Sequence, residues 1–587
     1  MSLNEAVDAV LASDSDSDCD EIDICILPPN DGADTDIEDI EDENLAADEP
    51  GDVCGQLEVF KNHSGDSNTG DEVTVAVPKE PGKKRVRSSK SSGDSAKKSK
   101  SKLPMKDWKT SSELNSQVIP DIPPLLCNTH PELVTLNAME IFEKVFTESM
   151  VQHLKDQFEL YAHREMNCPT FFVSLTEIRQ FIGILLVSGY FGLTSEEDYW
   201  STADDLGCPI VAKAMTRSRF KEIKKFCHVA DNENLGESRV AKVQPIYDQL
   251  NKSFTQFGIF HQKLSIDESM VPYYGHHRAK MFIRGKPIRF GYKIWMLCSA
   301  DGYPYQASIY CEKDESRPAN TTLGEHVVLS LIKVVEEPAS HEVYFGNFFT
   351  SHKLLTTLKS QGMRATGTVR EGREGGANLT SKASFNKKPR GWYEYTCDGN
   401  IGVVRWSDNS VVTCASNYDR VNPVSKVQRH IKGKSGKDTV SQPRMIANYV
   451  SGMGGVDLMD RLLGAYRPKI KGKKWWWNLF VNAINIAAVG AWKVHCAIAQ
   501  PSDVLTHKQF RREVVHGLLR SGACRKRLGG PTAPVPHCVR YDGQHHYIES
   551  TTQGRCVWCT SNTKKRCAKC GKRLHENCFS AYHSTAK

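Results

Sequence analysis

The feature that most constrains the fold of this 587-residue chain is the order of its regular elements between Leu264 and Arg370. Alternating apolar residues predict one strand in KLSIDESMVPYY and two more in KIWMLCSADGYPYQASIYC, where Asp301-Gly302 is typical of a hairpin turn. They are followed by the helix HVVLSLIKVVEE, the strand VYFGNFF, the helix SHKLLTTLKSQG and the strand ATGTVR. Three strands followed by helix, strand, helix and strand predict a mixed α/β domain.

This order is that of a ribonuclease H-like core, in which carboxylates from the first strand, the fourth strand and a late helix hold two metal ions. Such ions lie ~3.5–4 Å apart and stabilise the attacking and leaving oxygens of a phosphoryl displacement, and magnesium prefers oxygen ligands. The first strand offers Asp267, and the late helix in GGVDLMD offers Asp457 and Asp460 on one helical face. Because Asp267 interrupts an otherwise apolar strand, we favour a functional role for it over a surface position.

A family resemblance is carried by three segments: SIDESMVPYYGHHRAKMFIRGKPIRFGYKIW, VYFGNFFTSHKLLTTLKSQGMRATGTVR and YVSGMGGVDLMDRLLGAYR. They resemble the segments that hold the catalytic aspartates of piggyBac-family transposases, and most closely those of the transposable element-derived members. The resemblance implies metal-binding roles for Asp267 and Asp457, with Asp460 as an auxiliary acid. However, Gly346 stands where the family has its second catalytic aspartate. The resemblance therefore implies a degenerate nuclease centre, with Mg²⁺ in the core only if activity is retained.

The resemblance also implies the domain layout. The fold class is an α/β ribonuclease H-like core with a β-rich insertion, flanked by a mainly α-helical dimerisation and DNA-binding domain and by a small C-terminal zinc-binding domain. A disordered tail, acidic and then basic, is predicted for residues 1–104. The helical domain is predicted at 105–262 and 461–535, the core at 263–370 and 440–460, the insertion at 371–439 and the cysteine-rich domain at 540–587.

Metal-ligand spacing appears after residue 550, with seven cysteines and histidines in 28 residues: Cys556-x2-Cys559, Cys567-x2-Cys570, His575-x2-Cys578 and His583. Two Cys-x2-Cys pairs strongly indicate zinc. Since each tetrahedral ion takes four ligands, an eighth is needed, and His546 is the first candidate with His545 as the alternative. A cross-braced pairing predicts one ion on Cys556, Cys559, His575 and Cys578, and a second on Cys567, Cys570, His583 and His546.

Basic residues in two places predict DNA contacts. In KIKGKKWWWNLF we expect phosphate contacts from the lysines and at least one buried tryptophan, with Trp475 as a candidate wedge beside an unpaired base; the lysines are Lys469, Lys471, Lys473 and Lys474. Arg555, Arg566 and Lys569 interleave with the zinc ligands and predict further contacts with DNA, although related zinc folds bind protein partners instead.

Charge distribution bears on location and partners. The net charge is +6, but the first fifty residues are strongly acidic, so the remainder is clearly basic, which favours a nucleic-acid partner. Basic clusters at Lys83–Lys90 and Lys97–Lys102 predict localisation in the nucleus. Neither a secretory signal nor an apolar run of ~20 residues is visible, so no membrane association is expected.

Three functions remain open from the sequence. The loss of an acid at Gly346 favours a DNA-binding, transposase-derived protein, a homodimer by family resemblance, without catalysis. The second is an active cut-and-paste transposase that uses three aspartates and two metal ions at TTAA sites. The third is an adaptor that binds chromatin proteins or other partners through the acidic tail and the zinc domain.

Overall fold

The fold comes from a computed structural model, which describes residues 22–27, 56–61, 108, 122–283, 286–311, 317–430, 436–522, 535, 540–541, 543 and 545–584. The chain divides into two compact units, Met1–Glu196 with Ser218–Ala523, and Glu197–Arg217 with Cys524–Lys587. The basic clusters at 83–90 and 97–102 lie outside the described residues.

Eleven strands of the first unit form one sheet: β1 Ile22–Leu27, β2 Gln56–Lys61, β3 Lys263–Pro272, β4 Met281–Phe282, β5 Phe290–Ser299, β6 Pro304–Tyr310, β7 Glu342–Phe345, β8 Arg364–Thr368, β9 Tyr393–Cys397, β10 Gly402–Ser407 and β11 Val411–Ser416. Their order across the sheet is β2-β1-β4-β5-β3-β7-β8-β11-β10-β9, with β6 also beside β5. The strands β1 and β2 lie within the segment that was predicted to be disordered.

Two further sheets have two antiparallel strands each, β12 Ser425–His430 with β13 Lys437–Gln442, and β14 Ile548–Arg555 with β15 Asn562–Cys567. The helices are α1 Leu126–Thr129, α2 Ala138–Val145, α3 Glu148–Arg164, α4 Leu175–Tyr190, α5 Pro209–Ala214, α6 Arg217–Phe226, α7 Gln244–Thr255, α8 Leu323–Leu331, α9 His352–Ser360, α10 Lys382–Phe385, α11 Arg444–Met453, α12 Gly455–Ala465, α13 Trp477–Ile498, α14 His507–Arg520 and α15 Glu576–His583.

The predicted order of core elements is confirmed. β3 pairs antiparallel with β5 and parallel with β7, and β7 pairs parallel with β8, so the first and fourth core strands are neighbours. β5 and β6 form the predicted hairpin, and Gly302 in its turn has φ +89°. α9 ends before Gly362, which has φ +77°, a conformation that favours glycine over residues with a Cβ.

An insertion into the chain would be expected to form a layer of its own, but the β-rich segment after β8 does not. β11 pairs antiparallel with β8, and β10 and β9 follow outward, so three of its strands continue the core sheet. Only β12 and β13 form a sheet of their own, and β13 ends at Gln442, beyond the predicted boundary at 439. The insertion and the core therefore share one sheet.

The helical segments before and after the sheet pack together. α4 begins with a capping box, in which the Ser174 hydroxyl accepts from the Glu177 N–H and the Glu177 carboxylate accepts from the Ser174 N–H. α14 contacts α4 and α2, and α13 contacts α2 and α7. The chain after α12 thus returns to the helices that precede β3.

Among the residues that the structure describes, one helix, α13, is long and apolar enough to cross a membrane, with a mean hydropathy of 1.2. However, 83% of its apolar stretch is buried inside the protein. Length and composition of this kind are equally typical of the core helix of a globular domain.

Candidate functional site

The acids predicted for the core lie on β3 and α12. Asp267 is in the middle of β3, opposite Met296 of β5, and the Asp460 carboxylate on α12 accepts a hydrogen bond from the hydroxyl of Ser269 on β3. Asp457 lies in the first turn of α12 and is exposed. α12 can approach the sheet because Gly455 has no side chain: a Cβ there would lie 2.1 Å from the carbonyl oxygen of Ser299.

Gly346 follows β7 directly and adjoins Asp267. Ile266 of β3 pairs with Phe345 of β7, so the next position along each parallel strand sets Gly346 beside Asp267. Among the described residues, the only atom within 4 Å of a Cβ built on Gly346 is Met453 Cε, at 3.9 Å. The backbone and its surroundings therefore leave room for a Cβ at this position, so glycine is not required here by close packing.

The other acid on β7, Glu342, does not replace the missing one. It is buried at the far end of the strand, where its carboxylate pairs with the Arg364 guanidinium at 3.2 Å and accepts the Tyr344 hydroxyl at 2.7 Å. Asn347 is exposed. Neither residue therefore supplies a carboxylate at the position of Gly346.

Two residues of the centre were not assigned by the sequence analysis, Lys286 and Glu268. The Lys286 ammonium lies 3.1 Å from the Glu268 carboxylate. Burial lowers the pKa of Lys286, but the negative charges of Glu268, Asp267 and Asp457 outweigh it and raise that pKa. A cation held here offsets the charge that would attract a metal ion. Lys286 belongs to RGKPIRFGYK, but no spacing rule identifies a lysine that folds back onto acids.

Burial also changes the acids themselves. It raises the pKa of Asp267 well above the ordinary value, and the neighbouring Glu268 charge acts in the same direction. Burial raises the pKa of Asp460 to about 6, with Asp457 adding to the rise while Ser269 and Lys286 oppose it. An acid whose pKa is higher in the folded than in the unfolded protein reduces stability as the pH rises between these two values, and the reduction is constant above them.

We therefore expect Asp460→Asn to stabilise the protein at neutral pH. The amide keeps an acceptor for Ser269 but cannot ionise, so the free energy of unfolding should rise by about 1–2 kcal/mol at pH 7.5. The gain should shrink toward zero as the pH falls to about 4. Thermal unfolding from pH 4 to pH 8 measures both effects. The control is Asp457→Asn, one turn earlier and exposed; an equal gain in the control would contradict burial as the cause.

The C-terminal unit brings together two sets of four potential metal ligands. Each set has its ligand atoms within 4.8 Å of one another: Cys556, Cys559, His575 and Cys578 in one, and His546, Cys567, Cys570 and His583 in the other. These are the same two sets that the cross-braced pairing predicted, with His546 rather than His545 in the second. Within the part of the chain that the structure describes, the core acids do not form a third group of this kind.

The ligand atoms are spaced as zinc requires. Tetrahedral zinc bonded to sulfur at ~2.3 Å and to nitrogen at ~2.1 Å separates these atoms by ~3.6–3.8 Å. In one set, the sulfurs of Cys559 and Cys578 lie 3.3 and 3.9 Å from His575 Nδ1. In the other, those of Cys567 and Cys570 lie 3.3 and 3.6 Å from His546 Nδ1. The donor set and its spacing fit two zinc ions.

Backbone groups orient the ligands. His575 Nε2 donates to the carbonyl of Asn562 at 3.0 Å, and His583 Nδ1 donates to the carbonyl of Arg540 at 2.8 Å, so the opposite ring nitrogen remains available for a metal. Burial raises the pKa of the Cys556 thiol, but N–H groups of the surrounding turn outweigh it and lower that pKa to about 6. A thiolate is the form that binds zinc.

The predicted DNA-contact residues before α13 are only partly available. Lys469, Lys471 and Lys473 are exposed. The Lys474 ammonium instead donates to the carbonyls of Cys227 at 2.6 Å and Lys225 at 3.2 Å, behind the C-terminus of α6. The expectation of a phosphate contact from Lys474 is therefore wrong for this conformation.

The expectation of a Trp475 wedge is likewise corrected, because this side chain is 5% exposed and its ring stacks on His277 with centroids 3.8 Å apart. The next two tryptophans are buried as well, Trp476 and Trp477. Among the predicted contacts of the zinc segment, Arg555, Arg566 and Lys569 are exposed, although Arg566 forms an ion pair with Glu549 at 2.5 Å.

Comparison with known proteins places these features in context. The family model described as Transposase IS4 matches residues 137–492. PiggyBac transposable element-derived protein 3 of Homo sapiens is 37% identical over 422 residues, which are 70% of this chain and 70% of that protein. PiggyBac transposable element-derived protein 2 of Homo sapiens is 32% identical over 462 residues, 76% of each chain.

A solved structure shares the fold. The cryo-EM structure of the piggyBac transposase synaptic complex with hairpin DNA matches with a TM-score of 0.56 at 21% identity, over 68% of this chain and 84% of that chain. At this identity, the match shows the fold alone.

Proposed function

Since this chain belongs to the family of piggyBac-type transposases, we propose that it is a transposase-derived, DNA-binding protein of the nucleus that no longer cleaves DNA. The observation that carries the proposal is Gly346, where the core lacks a carboxylate next to Asp267. The proposal includes a homodimer, as the resemblance implies, and nuclear entry through the basic clusters at 83–90 and 97–102.

Loss of cleavage follows from the donor set of the core. Two-metal displacement needs carboxylates that bridge both ions and hold them ~3.5–4 Å apart. Asp267, Asp457 and Asp460 remain, but one corner carries no side chain, and the Lys286 ammonium pairs with Glu268 beside Asp267. These residues do not fit a two-metal centre, so we assign no hydrolytic step to the core.

DNA binding is supported by exposed charge and by the solved relative. Lys469, Lys471 and Lys473 project from the segment before α13, and the structure describes no carboxylate partner for any of them. The structural match is a transposase complex with hairpin DNA, as its title states. Phosphate contacts from free lysines release counterions, so the binding should weaken steeply with salt.

Two adjacent lysines test this proposal. Lys473→Gln should weaken binding to duplex DNA and reduce the slope of log affinity against log salt by about 0.9, without changing thermal stability. Lys474→Gln should lower the melting temperature and leave the slope unchanged, because its ammonium bonds the carbonyls behind α6. Fluorescence anisotropy at roughly 50–300 mM salt measures the slope. Thermal unfolding measures the melting temperature. Equal slopes for wild type and Lys473→Gln would contradict the assignment of Lys473.

The C-terminal unit is proposed to hold two structural zinc ions and to add DNA contacts through Arg555 and Lys569. One observation favours the alternative of a protein-binding adaptor: between Cys556 and Cys559, Val557 and Trp558 are 47% and 52% exposed. Binding measured on terminal-repeat DNA and on random DNA separates the two, because an adaptor that merely tolerates DNA shows no preference for the repeat.

A further inference from the structure

We propose that the hairpin of β12 and β13 is a DNA-binding ribbon, flanked by Trp392 as a stacking platform for an unpaired base. The inference deepens the proposed function, on which it rests, by assigning DNA contact to a surface of the β-rich segment. It concerns residues distinct from the lysines before α13 and from the zinc segment.

One face of the ribbon is anchored. Val427 and Val440 are directly opposite in the ladder and pack into the apolar cluster that also contains Trp406 and Met445. On the same face, Arg429 Nε pairs with the Asp408 carboxylate at 3.4 Å. Because partners in an antiparallel ladder share a face, Asp438, opposite Arg429, belongs to this face too.

The outer face is polar and carries only positive charge. Its three ladder pairs are Lys426 with Ser441, Gln428 with Thr439, and His430 with Lys437. All but the half-buried Ser441 are exposed. Asp438 is the only acid in the two strands, and it lies on the other face. The structure describes no ion pair of Lys426 or Lys437 with a carboxylate.

An exposed aromatic residue borders this ribbon. Trp392 is 49% exposed, and Lys388 Nζ lies 5.3 Å from its ring centroid. The loop that precedes Trp392 lies against both strands of the ribbon. Arg390 Nη1 donates to the His430 carbonyl at 2.9 Å, and a Cβ on Gly391, which has φ +89°, would lie 3.2 Å from the Ser441 nitrogen.

This arrangement suits a nucleic acid. Lysines together with hydroxyl and amide groups are the side chains that contact phosphate and sugar, and residues two apart on a strand lie ~6.6 Å apart, so the face offers a row of donors. A half-exposed tryptophan beside a lysine matches the stacking platforms on which unpaired bases lie. Since DNA is the partner of the proposed function, we commit to DNA as the occupant.

The double variant Lys426→Gln/Lys437→Gln tests the ribbon. On random-sequence duplex, anisotropy titrations at several salt concentrations should show a slope smaller by about 1.8 than for wild type, from two lost phosphate contacts. Trp392→Ala should bind duplex with a single-stranded extension about 5-fold to 100-fold more weakly, and should bind blunt duplex as wild type does. Both variants change exposed groups, so unchanged melting temperatures are expected.

The matched control removes the same charge elsewhere in the same unit. Lys333→Gln/Lys508→Gln replaces two exposed lysines with no described carboxylate partner and should leave the slope unchanged. If the ribbon variant keeps the wild-type slope, or if the control lowers it equally, the ribbon is not a DNA surface even though the protein binds DNA. If wild-type protein itself fails to bind DNA, the proposed function fails first, so the two failures are distinguishable.

Discussion

We expect no detectable strand cleavage by the wild-type protein, whereas Gly346→Asp should nick supercoiled plasmid DNA in Mg²⁺ or Mn²⁺. The new carboxylate would lie beside Asp267, in a position where a Cβ meets only Met453 Cε at 3.9 Å among the described residues. It would supply the missing oxygen ligand of a two-metal centre. Since even a single outer-shell partner of a metal site changes activity by ~10–100-fold, we expect a gain of at least ~100-fold.

Two controls separate the charge from the added bulk. Gly346→Asn has nearly the same size but a neutral amide, and should remain inactive. The double variant Gly346→Asp/Asp267→Asn restores one acid while removing its neighbour, and should also be inactive. Nicking by wild-type protein at the rate of Gly346→Asp would refute the inactive assignment. An equal rate for Gly346→Asn would instead show that the carboxylate charge is not the cause of the gain.

Removal of zinc should unfold the C-terminal segment 540–584. Its described apolar core consists of Cys556, Cys567, Leu574 and Tyr582, with a few partly buried neighbours, and two of these four belong to the sets of potential metal ligands. Zinc binding at such sites contributes about 10–16 kcal/mol to folding. A strong chelator should therefore make this segment sensitive to protease while residues 122–522 stay protected. Metal analysis of untreated protein should give two zinc ions per chain.

Adjacent histidines provide the matched control. His546 belongs to a ligand set and His545 does not. His546→Asn should release one of the two zinc ions and destabilise the segment, whereas His545→Asn should keep both, since asparagine tolerates the positive φ of 57° at that position. Retention of two tightly bound ions by His546→Asn would show that the second set is assigned incorrectly.

The sequence predicted well what depends on local periodicity. The strand and helix order from β3 to β8 could be predicted, as could the hairpin at Asp301–Gly302 and the glycine after α9, because each is encoded by a few neighbouring residues. The cysteine and histidine spacing likewise led to the two ligand sets that the structure brings together.

Features that depend on distant parts of the chain were missed. The core sheet continues into β11 because Cys414 pairs with Thr368, and no local sequence pattern predicts this pairing between distant strands. Lys474 and Trp475 were predicted to contact DNA because lysines beside tryptophans are typical of DNA-binding surfaces. Their actual partners, the carbonyls behind α6 and the ring of His277, lie about two hundred residues away in sequence.

The open space at Gly346 also bears on how this lineage can change. Glycine codons that end in a pyrimidine differ from aspartate codons at a single middle base. A codon of that kind at Gly346 would put aspartate one point mutation away, and the Cβ of that aspartate would meet only Met453 Cε, at 3.9 Å, among the described residues. A copy that carries such a codon could gain an acid at this position of the core in a single step.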